Sequence, residues 1–171
     1  MSDLTFDNGE FARRERTLQG ELALADLPRV AADVLGGSAI QFALAGNADK
    51  YKRLTLDLRV GGQLELKCQR CLKSLPFEID VATRFTLFAD EAKLDEAEAE
   101  DEDMEGLLFE QEFSLLNLIE DEILLSLPYA PAHDACVAEV GVAPDADVVP
   151  QKPNPFAVLA DLKGKLQRGE H

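Results

Sequence analysis

The sequence predicts an α+β fold: an antiparallel β-sheet, barrel-like if its edges meet, with a few packed helices and an acidic disordered loop. Three observations point there. Apolar and polar residues alternate in strand fashion over most of residues 16–88, and helical spacing is confined to short stretches. Residues 90–105 hold ten acids and one base, Lys93, a density at which a chain repels itself rather than packs. With 171 residues, 46% apolar and 29% charged, there is material for one domain with its own core plus an appendage.

The first dozen residues show no period and read as a loose arm. Leu18, Gly20, Leu22 and Leu24 alternate as one side of a strand. Asp26 is placed to cap a short helix through Leu27, Val30, Ala31, Val34 and Leu35, ended by Gly36-Gly37. Two runs of alternation follow: Ile40, Phe42 and Leu44, then Leu54, Leu56, Leu58 and Val60. Leu64, Leu66 and Cys68 keep the same period, so Gly61-Gly62 is either a hairpin turn or a bulge within one strand. A further strand runs through Phe77, Ile79, Val81, Phe85 and Leu87. Such uninterrupted alternation predicts an antiparallel meander rather than parallel strands with crossover helices.

After the acid run, Leu107 to Phe113 reads as one more strand. Ser114 caps a helix with Leu115, Leu118, Ile119, Glu122 and Leu125 on one face, ended by Pro128 and Pro131. Residues 137–153 have linker composition, and Asn154-Pro155 opens a last helix striped with Phe156, Leu159, Leu162 and Leu166. The expected organisation is an arm at 1–15, a domain at 16–136 with the disordered loop 90–105, a linker at 137–153, and a helix with its tail at 154–171.

The net charge of −16 is unevenly spread: residues 1–89 hold 12 acids and 12 bases, and residues 106–171 hold 11 acids and 4 bases. An acidic surface repels phosphate backbones except where cations gather, and it suits basic partners. DNA is not an expected partner. Neither is a membrane, because the longest apolar runs are a few residues. Three cysteines make no disulfide scaffold and the N-terminus lacks secretory features, so the expected location is cytoplasmic.

Cys68-Gln-Arg-Cys71 and His133-Asp-Ala-Cys136 are two pairs, each with two intervening residues. Three thiolates and an imidazole so spaced can present four ligands to one tetrahedral zinc ion; the same cysteines also read as small hydrophobic residues at a strand end. A thioredoxin-like role is disfavoured, since no helix N-terminus follows the first cysteine. Lys67, Arg70 and Lys73 surround this corner and can grip RNA phosphates, with Lys50, Lys52, Arg53 and Arg59 on the strand before. Asp57, Glu65 and Glu78 can equally balance them as an ordinary solvated surface. There is no phosphate-cradling loop or nucleophile elbow, and His133 and His171 are the only histidines, which points away from an enzyme.

Residues 66–72 (Leu-Lys-Cys-Gln-Arg-Cys-Leu), 120–128 running into Pro131-Ala-His133-Asp-Ala-Cys136, and Gln151 to Lys163 with its Pro-Asn-Pro-Phe core together resemble the YceD family of large ribosomal RNA subunit accumulation proteins. The resemblance implies a non-enzymatic role in 23S rRNA accumulation or processing. It also suggests a metal site, with His133 and Cys136 where some members look to carry two cysteines.

The expected mechanism has two faces. Lys67, Arg70 and Lys73 contact precursor 23S rRNA, and the acidic half holds a basic ribosomal protein or processing factor. The alternatives are a protein-binding adaptor using Asn154, Pro155, Phe156, Leu159 and Leu162, and a zinc- or redox-dependent protein acting through its cysteines.

Overall fold

The computed structural model describes residues 4–136. In chain order the strands and helices are β1 (Thr5–Phe6), α1 (Asn8–Arg13), β2 (Thr17–Leu22), α2 (Pro28–Asp33), β3 (Gly36–Gly37), β4 (Ile40–Ala48), β5 (Leu54–Lys67), β6 (Ser74–Phe88), α3 (Glu91–Glu100), β7 (Glu105–Leu108), β8 (Phe113–Ser114) and α4 (Leu115–Ser126). The main sheet runs β2-β4-β5-β6-β7, with β3 pairing β5 beyond the end of β4. Among the described residues it stays open, with β2 at one end of the path and β7 at the other, and is not closed into a barrel. One face is covered by α1, α2, α4 and the small β1-β8 ladder, and the core lies between, around Leu44, Leu56, Leu58, Leu64, Leu115 and Ile119.

The meander is antiparallel except at one place. β6 and β7 are parallel, and the connection between them contains α3, within the tract expected to be a disordered loop. Two forces order it. Alanine, glutamate, leucine and lysine are good helix formers, and the Asp90 side chain caps the first turn by accepting from the Lys93 N–H at 3.0 Å. Leu94 then lies against Gly106 on β7. Gly61-Gly62 makes no turn: β5 is continuous through it, Gly61 opposite Asp80 and Gly62 opposite Ile79.

The N-terminal segment is not loose. Phe11 and Ala12 are buried, and the Phe11 ring lies 4.7 Å from that of Phe6. Asn8, fully buried, donates from Nδ2 to the Leu108 carbonyl at 2.9 Å and accepts the Glu110 N–H at 3.0 Å. Gly46 of β4 permits this docking, because a Cβ there would stand 2.7 Å from the Ala12 Cα and the Phe11 carbonyl oxygen. Gly46, Leu108 and Glu110 are all distant from this segment in sequence, which is why periodicity alone misses the docking.

Two further expectations shift. Asp26 caps only its own short turn, accepting from the Ala23 N–H, while α2 begins at Pro28 with no side-chain cap from its own segment. Its cap comes from α4: the buried Glu120 accepts the Arg29 N–H at 2.7 Å, and Arg29 pairs with Asp121 at 2.6 Å. Ser114 does cap α4, but the buried face is Leu115, Leu118, Ile119, Glu120 and Ile123, and Leu125 is 81% exposed. No helix among the described residues is long and apolar enough to cross a membrane. The expected linker at 137–153 and last helix at 154–171 lie outside the described residues.

Replacing Glu120 by alanine uncaps α2, so urea unfolding should show a loss of about 0.5–2 kcal/mol. Glu120→Gln keeps an acceptor and should lose less. Phe11→Ala should cost about 3–5 kcal/mol if α1 belongs to the core. A change within experimental error would return this segment to the status of an arm.

Candidate functional site

The inward period of β5 runs Leu64, Leu66 and Cys68, so the strand carries a cysteine to the end of its buried face. The chain then turns tightly. The Cys68 N–H donates to the Lys73 carbonyl and the Leu72 N–H to the Cys68 carbonyl, both at 2.9 Å. Leu72 completes the turn at φ 60°, a left-handed conformation uncommon for leucine, with its side chain 62% exposed.

Residues 131–136 meet this tip from the far side. The Gln69 N–H donates to the Pro131 carbonyl at 2.8 Å, which sets the segment against the turn. His133 Nε2 hydrogen-bonds the Ser74 carbonyl at 3.0 Å, an arrangement in which Nε2 holds the proton and Nδ1 is left as a lone pair. That Nδ1 is 3.5 Å from Cys71 Sγ, and Cys136 Sγ is 3.7 Å from Cys68 Sγ.

The four ligand atoms of Cys68, Cys71, His133 and Cys136 all lie within 4.8 Å of one another. Around a tetrahedral zinc ion, sulfur–sulfur edges are about 3.8 Å and sulfur–nitrogen edges about 3.5 Å, given the usual bond lengths. These two pairs therefore already stand at the separations a metal requires. The cluster can hold a metal ion such as zinc, and with four protein ligands it leaves no open position for substrate.

Its electrostatics favour a thiolate. The Cys71 N–H brings the Cys68 thiol down to about 5, against the effect of burial and with help from the His133 and Arg70 N–H groups. Cys136 moves the other way, raised by the loss of part of its solvent and then by its neighbours Cys68 and Cys71. A bound cation would reverse that second shift, because metal coordination favours the ionised thiol.

Lys67, Arg70 and Lys73 are all exposed around this tip, as the sequence places them. The other cations are not brought to it. Lys50, Lys52 and Arg53 sit where the chain enters β5, the far end of a 14-residue strand about 40 Å long. Arg53 is held there by Asp49 at 2.7 Å, and Arg84 pairs with Asp57 at 2.5 Å across β5 and β6. Tyr129, fully exposed just before Pro131, is a residue that sequence reasoning missed; only an aromatic between two prolines marks it. Asn154, Pro155, Phe156, Leu159 and Leu162 lie outside the described residues.

A family model described as large ribosomal RNA subunit accumulation protein YceD matches residues 56–163, from β5 through the cysteine-histidine cluster to the Pro-Asn-Pro-Phe block. A protein of Haemophilus influenzae, named large ribosomal RNA subunit accumulation protein YceD, is 34% identical over 172 residues, covering 95% of this chain and 96% of its own length. No solved structure matches. The chain belongs to the YceD family.

Proposed function

We propose that the protein is a non-catalytic factor for 23S rRNA accumulation and processing in large-subunit biogenesis, acting in the cytoplasm. The observation that carries this reading is one corner of the fold: a Cys3His cluster built on a tight turn and ringed by the exposed Lys67, Arg70 and Lys73. A turn fixed by backbone bonds presents its cations without first being ordered, which favours phosphate contact. Zinc in the cluster is the cofactor of this reading, structural rather than catalytic.

The acidic side has a different partner. On α3 no residue is buried, and the tract around it is strongly negative, so it suits a basic ribosomal protein or processing factor and repels RNA. Opposite signs on separate elements let one chain hold a precursor RNA and a basic protein together. Residues 154–162 are the alternative partner surface, with Phe156, Leu159 and Leu162 entering a groove on another protein.

Reversing charge at Arg70 and Lys73 together should weaken filter binding of precursor 23S rRNA fragments and lower the salt slope by about one unit per lost phosphate contact. Unchanged affinity at low salt would remove the corner from the reading. The acidic side is tested by amide substitution at Asp95, Glu96, Glu100 and Glu102, which keeps the β6–β7 connection intact as a deletion would not. Recovery of basic ribosomal proteins in pull-downs should fall, and full recovery would contradict the second face.

A further inference from the structure

The ligands of the cluster come from two stretches of chain, far apart in sequence, that meet chiefly through the ligands themselves among the described residues. Cys68 and Cys71 stand on the β5–β6 tip, anchored by a ladder that continues to Lys67 opposite Ser74. Residues 128–136 have no such anchor, for none of their side chains is buried. Apart from the Gln69–Pro131 bond, the contacts described above between the two stretches run through ligand side chains: His133 to Ser74, His133 to Cys71, and Cys136 to Cys68. The same contacts place Tyr129, whose ring is fully exposed, two residues from the carbonyl that receives the Gln69 N–H, beside Arg70 in the chain.

We infer that zinc is a clasp that seats residues 129–136 on the β5–β6 tip, and that the clasped corner, with Arg70 and Lys73 for phosphates and Tyr129 for an unpaired base, is the RNA-binding form. The second half of this inference rests on the RNA reading above. Zinc binding here breaks no carbon bond and moves no electrons; each thiol that becomes a ligand releases its proton to solvent. Without the metal, a segment lacking buried side chains comes free while the sheet remains. Tyr129 then loses the anchor that the bond at the Pro131 carbonyl gives its segment. A flat exposed ring on a segment seated at a cationic tip suits looped or single-stranded RNA, whose bases are free to stack, better than a duplex.

The test uses full-length protein purified without chelators. Elemental analysis should find about one zinc per chain. Hydrogen exchange before and after chelation should quicken in peptides spanning 129–136 and stay unchanged in peptides from 54–66. Binding to a single-stranded fragment of precursor 23S rRNA should fall about tenfold on chelation and return with added zinc. His133→Ala should behave as the chelated protein, and His133→Cys, which keeps four ligands, should retain zinc and affinity.

Absence of zinc, or unchanged exchange in 129–136, overturns the clasp. Zinc-dependent exchange with RNA affinity indifferent to chelation overturns the coupling. If the zinc-loaded protein binds no RNA while exchange still depends on zinc, the clasp stands and the RNA reading fails. Tyr129→Ala, with metal content and exchange intact, should weaken single-stranded RNA binding more than duplex binding; equal effects exclude the ring from recognition.

Discussion

Everything described above hangs on the pairing of β5 with β6. The two strands are in register from Thr55 opposite Thr86 to Lys67 opposite Ser74, longer than any other pairing in the sheet. β4 covers only one half of β5, and β3 touches it again at Leu64 and Glu65, so the hairpin runs past its neighbours and ends as a projecting tip. Because side chains alternate strictly, that register also decides which residues face inward: Leu56, Leu58, Val60, Leu64, Leu66 and Cys68 are all buried. A slip of one position would turn Cys68 outward and dissolve the cluster. Core packing and ligand placement are thus the same constraint read at two places along one strand.

The cluster nevertheless stands apart from the core energetically. A structural zinc ion contributes about 10–16 kcal/mol of apparent binding free energy in small zinc domains. That is as large as the about 5–15 kcal/mol that typically separates a whole domain from its unfolded state. At this cluster that energy would fall on a short segment without buried side chains, whereas the sheet has Leu44, Leu56, Leu58 and Ile119 to hold it. A metal held there would govern local order at the tip rather than the existence of the fold. Such regional differences in stability are general in proteins, and they let a binding surface be regulated without unfolding what carries it.

Legibility in the sequence followed the range of the interactions involved. Period-two alternation located β2, β4, β5 and β6, and Ser114 was recognisable as a cap, because both signals are local. The cysteine and histidine spacing was legible for a similar reason, since each pair sits within one turn of chain. What escaped notice depends on distant partners. Phe11 and Asn8 lie in a segment without period, and only its docking against Gly46, Leu108 and Glu110 makes them interior. Glu120 is a charged residue outside the face that helical spacing picks out, yet it caps a helix 91 residues earlier. Composition alone made the acid run a loop, although its residues are good helix formers and the connection from β6 to its parallel neighbour β7 gives them a helix to form. The net charge is similarly coarse: −16 for the chain, with residues 1–89 balanced and the cysteine corner within them.

The central claim is that the cysteine corner touches RNA. Ultraviolet crosslinking in living cells, with the adducts mapped to peptides and to transcript, addresses it without assuming which fragment of RNA is bound. Adducts on precursor 23S rRNA should concentrate in peptides containing residues 67–73 and 129–136. RNA adducts found only elsewhere on the chain, or protein adducts alone, would contradict it.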